Sequence, residues 1–102
     1  MKVKPEMLRR IQAMQAKMAE TQRQLESEQV EASVGGGAVK AVFSGSQKML
    51  GITISAEVTD DLEMLQDLVV SVVNEGLQRA QQIAAERLGS VTAGLPLPPG
   101  LI

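Results

Sequence analysis

The chain contains no cysteine and no histidine. Disulfides, thiolate nucleophiles, zinc sites and imidazole acid–base chemistry are therefore all excluded. Tryptophan and tyrosine are absent too, and Phe43 is the only aromatic residue, so no platform exists on which successive bases could stack. No apolar run approaches the 18 or so residues a membrane-spanning helix needs. The start, MKVKPEMLRR, lacks the apolar centre of a signal peptide. These absences lead to the expectation of a soluble cytoplasmic protein with no cofactor, no metal and no small-molecule substrate. Serine and threonine hydroxyls are present, but only carboxylates and lysines could activate them, so no enzyme is expected.

What is present is one domain's worth of chain, 102 residues with a net charge of −2. That length can bury a modest core without staples, and more comfortably with a dimer interface. The charge is unevenly placed. Residues 1–25 carry Lys2, Lys4, Arg9, Arg10, Lys17 and Arg23 against Glu6 and Glu20, a balance of +4; the remainder stands at −6. A basic segment on an acidic body suits a polyanion or a membrane surface. It also suits a solvated helix face, and charge alone leaves both open.

The chain is organised around Asp60–Leu88. As a helix this stretch would be roughly 43 Å long, against a radius of gyration of about 13 Å for a compact domain of this size. Leu62, Leu65, Leu68, Val69, Val70, Val72, Val73, Gly76 and Leu77 cover about 200° of its wheel, interrupted only by Gln66. A helix lying on one sheet needs a stripe of roughly 100°, so half of this surface calls for a second partner. A dimer interface through Leu65, Val69, Val72, Val73 and Gly76 is expected. Past Leu77 the stripe thins to Ala80, Ile83 and Ala84, as in a projecting arm. Asp60 with Glu63 is expected to cap the start, and Gly89 to follow the last turn.

Before it, Pro5 suits a first helical turn. A helix is expected from there to Glu26 or Ser27, with Met7, Ile11, Met14, Met18, Thr21 and Leu25 as the seam of a helix pair. Its basic residues avoid that seam. Three strands should follow in residues 28–55. Val30, Ala32 and Val34 line one face of the first, Val39, Ala41 and Phe43 one face of the second, and Leu50, Ile52 and Ile54 one face of the third, Lys48–Ser55. Gly35-Gly36-Gly37 and Ser44-Gly45-Ser46 supply the turns. The result is an α+β fold, α-β-β-β-α, whose three-stranded antiparallel meander is covered on its apolar side by the helices. The Pro/Gly-rich tail after Gly89 offers Leu95, Leu97, Leu101 and Ile102 as contacts against the helices.

Other motifs dissolve on inspection. The triple glycine lies between strands and lacks the Lys-Ser/Thr of a phosphate loop. Glu57, Asp60, Asp61 and Glu63 gather where a helix dipole favours acid without any metal. Gln66 and Asn74 could form a buried polar contact that fixes register.

In sequence order these pieces resemble the YbaB/EbfC family of bacterial nucleoid-associated proteins. The likeness is carried by Met14-Gln15-Ala16-Lys17-Met18 with Gln22 and Leu25, by Gly37-Ala38-Val39-Lys40 with Gly45, by Met64-Leu65-Gln66-Asp67-Leu68-Val69 with Asn74, and by the tail Gly94-Leu95-Pro96-Leu97-Pro98-Pro99-Gly100-Leu101. The family's glycine-rich lead-in is missing, and Ser55-Ala56 stands where the family has Asp-Pro. The resemblance implies a tight homodimer with long helices projecting like tweezer arms, and binding to double-stranded DNA in the nucleoid. Phosphate contacts come from Lys and Arg, so the expected contacts are Lys2, Lys4, Arg9, Arg10, Lys17 and Arg23, with Arg79 and Arg87 secondary. A scaffold whose arms and apolar tail grip another protein is the alternative, and the acidic total charge favours it.

Overall fold

Pro5 opens the first helix, α1 (Pro5–Ser27), where its missing N–H costs nothing. The computed structural model describes residues 4–92; Lys2 and the tail contacts expected of Leu95, Leu97, Leu101 and Ile102 lie outside the described residues. Glu28 ends α1 in extended geometry, its N–H donating back to the carbonyls of Gln24 and Leu25. The chain then enters β1 (Gln29–Val34), β2 (Val39–Ser44) and β3 (Met49–Ile54), an antiparallel meander in the order β1-β2-β3. The long helix α2 (Leu62–Thr92) closes the fold.

The β1–β2 connection is a tight 3-10 turn in which Gly35, Gly36 and Gly37 take φ of 64°, 67° and 95°. Three consecutive left-handed residues are affordable only to glycine. The second turn works differently. There the positive φ belongs to Gln47, at 69°, while Gly45 is needed for space, since a Cβ would lie 2.8 Å from the Leu25 carbonyl oxygen. The Ser44 hydroxyl accepts from the Lys48 N–H and pairs with the Ser46 hydroxyl at 2.7 Å.

The core lies between α2 and the first two strands: Ala32, Val39, Ala41, Phe43, Val58, Val72 and Ala80. Fully burying Phe43 is worth about 1.5–3 kcal/mol, and Gly76 makes room for it. A Cβ on Gly76 would overlap the Phe43 ring atom Cε1. Val72, Gly76, Ala80 and Ala84 recur every four residues as the buried row of α2, small enough to let the helix lie close to the sheet.

Four expectations need correction. The apolar side of the meander is not covered throughout. α2 packs across β1 and β2 and hardly touches β3, so Met49, Leu50, Ile52 and Ile54 all remain exposed. Ile52 and Ile54 pair with Ala41 and Val39, and a register shift at Val42/Phe43 sets Met49 opposite Phe43. Secondly, the cap of α2 is Asp61, not Asp60. Its Oδ1 accepts from the Met64 N–H at 3.0 Å, because the 3-10 turn Ala56–Val58 uses more of the connection. Thirdly, Gly89 does not end α2. The helix runs through it to Thr92, since the ~1 kcal/mol cost of an interior glycine is met by packing of the last turn, Val91 included, beside α1. Lastly, Gln66 and Asn74 are exposed, so they make no polar contact in the core.

Candidate nucleic-acid interface

The second half of α2 and the whole of α1 run antiparallel as a two-helix arm, with Leu25 near Ala84 and Leu88, and Met14 near Val91. The molecule is correspondingly long, 67 × 26 × 19 Å with a radius of gyration of 19.3 Å. The expected seam of α1 is sealed only at its base. Thr21 and Leu25 are buried, Met14 and Met18 half-buried, and Met7 and Ile11 exposed. Thr21 sits in the seam without an orphaned hydroxyl, because that hydroxyl donates to the Lys17 carbonyl at 2.8 Å.

With the seam turned to α2, the basic residues of α1 take the outer surface. Lys4, Arg9, Arg10, Lys17 and Arg23 are all exposed. Among the described residues none of them makes an ion pair. Arg9 and Arg23 lie on the side away from the seam, about 21 Å apart along the axis. Arg10 and Lys17 flank it, and their stems help to line a groove of about 290 Å³ with Ala13, Met14 and Val91.

The two arginines of α2 are held differently. Arg79 donates through Nη1 to the Glu31 carbonyl of edge strand β1 at 2.7 Å, and through Nη2 to Glu75 at 2.8 Å. Arg87 grips Glu28 through one edge of its guanidinium, Nη2 donating to Oε1 at 2.7 Å and Nε to Oε2 at 3.3 Å. That hydrogen bond, with the attraction of opposite charge, holds the Glu28 carboxyl below its usual range and lifts Arg87 above its own. Both arginines strap the arm to the sheet. These are the two residues expected as secondary phosphate contacts; each guanidinium is engaged with its own chain, while its side chain stays half or more open to solvent, at 50% for Arg79 and 59% for Arg87.

Of the five residues expected at a dimer interface, Val72 and Gly76 are buried within the protein's own fold, Gly76 against the Phe43 ring of β2. Wheel position alone could not separate them from their neighbours. Leu65, Val69 and Val73 are half-buried. Outside α1, the uncovered large apolar residues are instead Leu62, Met64 and Val70 on α2 and the four of β3. The β3 group was visible as an alternating apolar strand, but nothing local marked it as uncovered.

Among the described residues no helix is long and apolar enough to cross a membrane, and no group of three or more acidic residues is arranged to hold a metal ion. Comparison with known proteins brings these features together. The chain is 43% identical over 100 residues to a nucleoid-associated protein of Syntrophobacter fumaroxidans, covering 92% of this chain and 91% of that one. It is likewise 43% identical to nucleoid-associated proteins of Alkaliphilus metalliredigens, covering 90% and 82%, and of Chlorobium chlorochromatii, covering 95% and 87%. A crystal structure of an uncharacterized protein from Helicobacter pylori shares the fold, with a TM-score of 0.64 over 71% of this chain and 86% of that one at 19% identity. The model of the YbaB/EbfC DNA-binding family matches residues 1–95, and the chain belongs to that family.

Proposed function

We propose that this protein is a nucleoid-associated homodimer that holds duplex DNA chiefly through its phosphates, using Lys4, Arg9, Arg10, Lys17 and Arg23 of α1 together with Lys2. The observation that carries this is the row of unpaired cations along one exposed helix of an otherwise acidic protein. Such groups gain by displacing counterions from DNA, which gives affinity that depends on salt and reads sequence little. With Phe43 enclosed in the core, no aromatic side chain remains to stack on unpaired bases, which favours the duplex. Membership of a DNA-binding family also sets the protein apart from enzymes.

The homodimer is supported by the uncovered apolar surface of β3 and of the first turns of α2, where Leu62, Val70, Ile52 and Ile54 stand exposed beside half-buried Leu65, Val69 and Val73. A second copy placed there would present the basic arm twice. The test is a titration of duplex DNA at several salt concentrations. The logarithm of affinity should fall linearly with the logarithm of salt, with a slope of about 0.9 per phosphate contact. Absence of binding even at low salt would exclude this function.

A scaffold for another protein is the second possibility, favoured by exposed Met7, Leu8 and Ile11 at the arm tip. It predicts capture through those residues with no dependence on the cations.

A further inference from the structure

Three large apolar side chains stand in solvent on the first turns of α1. Met7 is 56% exposed, Leu8 48% and Ile11 39%. Met7 and Ile11 continue the seam that is half-buried at Met14 and Met18 and buried at Leu25. Leu8 does not. It stands about 100° round the helix from that seam, so packing of the arm gives no reason for an apolar residue there. The charges around it are ordered. Taken from the direction midway between Leu8 and Ile11, Lys4 falls almost in line, and Arg9 and Arg10 fall about 130° to either side. Glu6 falls on the opposite side of the helix. Lys4, Arg9 and Arg10 are exposed, and among the described residues none of them makes an ion pair.

We propose that the first turns of α1 enter the major groove of duplex DNA and set Leu8 and Ile11 against thymine methyl groups. This rests on the DNA-binding reading above and adds to it the base that is contacted. An apolar strip walled by cations fits a surface that is apolar on its floor and anionic along both rims. The major groove is such a surface wherever it carries thymine, whose C5-methyl is read by apolar side chains. A helix about 10–12 Å across matches the groove's width of about 12 Å, whereas the minor groove, about 6 Å wide, would have to be opened to admit it. Recognition helices likewise use their N-terminal residues on base edges. Arg9 and Arg10 then lie toward the two phosphate rims, where they position the helix without reading sequence. The strip from Leu8 to Ile11 advances only about 4.5 Å along the axis, enough for one or two methyl groups per arm. Thymine contact is therefore a modest addition to the phosphate contacts.

The test removes the methyl groups alone. Two duplexes of one sequence are compared, one with thymidine and one with 2′-deoxyuridine at every such position, so that all phosphates and pairing groups are kept. Burying one methyl is worth about fourfold in affinity. The full-length protein should therefore bind the thymine duplex at least about fourfold more tightly, with the same salt slope on both. Leu8→Ser with Ile11→Ser should bind the two duplexes equally, again with that slope, and circular dichroism should show the fold intact. Equal affinity of the parent protein for the two duplexes would overturn the inference, leave the DNA-binding reading standing and return the strip to a protein partner. A preference for thymine that survives in the double variant would overturn it as well, by placing the methyl contact elsewhere. Absence of binding to either duplex at low salt would overturn both readings.

Discussion

Two groups of cations share one arm and meet opposite fates. Arg79 and Arg87 on α2 are each held by a carboxylate and set into the structure, whereas Lys4, Arg9, Arg10, Lys17 and Arg23 on α1 have no acidic partner among the described residues. The difference follows from what each helix packs against. α2 lies on the sheet, so Arg79 reaches the Glu31 carbonyl of β1 as well as Glu75 on its own helix, and Arg87 reaches Glu28 at the α1–β1 junction. α1 touches the rest of the fold mainly through its seam, so its basic side faces solvent. Residue type therefore says less about a binding role than the geometry of the nearest carboxylate.

The contrast depends on a rigid α2, and the largest effect should come from disturbing that. Gly76→Leu forces a side chain into the Phe43 ring. Overpacking costs typically 1–3 kcal/mol and sometimes more; with backbone pushed off the sheet, a loss of at least about 3 kcal/mol is expected. Chemical denaturation would show it as a lower midpoint at unchanged slope.

A charge two turns earlier on nearly the same face of the helix, where Val69 is only half-buried, should act on assembly. Val69→Asp would leave an unpaired carboxylate in the proposed interface, at a cost of about 3–5 kcal/mol, which is at least a hundredfold in dimer affinity. Sedimentation would report a monomer whose circular dichroism is unchanged. A still-dimeric variant would move the interface away from α2.

These two substitutions also show how far the sequence could be followed. The order of elements, the turns and the alternating strands were legible because side-chain period and turn chemistry are local properties. Gly76 and Val69 were indistinguishable on the wheel, since apolar arc carries no label for which part meets the chain's own sheet. A glycine inside that apolar arc, in a chain with a single phenylalanine, was the available clue. The arginines divide in the same way. The Glu75–Arg79 pair has the i,i+4 spacing that sequence can reveal, but Arg79 to Glu31 and Arg87 to Glu28 span 48 and 59 residues. No local rule connects them. The exposure of the α1 cations was legible because it depends only on a helix and its seam.

The smallest effect concerns the Arg87 strap. Glu28 is held below its usual value of 4.5, so the folded state keeps this carboxylate charged more readily than the unfolded chain does. The stabilisation is present above pH 4.5 and is lost as pH falls through the lower folded value. Arg87→Ala should therefore lower thermal stability slightly at pH 7, and the gap from the parent protein should close in acid. Both partners are substantially exposed, so the change stays small.

The measurement that bears most directly on the division of cations is the salt dependence of duplex binding for two double variants. Arg9→Ala with Arg10→Ala should weaken binding at every salt concentration and lower the slope by about 0.9 for each phosphate contact removed. Arg79→Ala with Arg87→Ala should leave the slope at the parent value. If the α2 pair reduces the slope and the α1 pair does not, the DNA lies along α2, and the assignment of the interface to α1 is wrong.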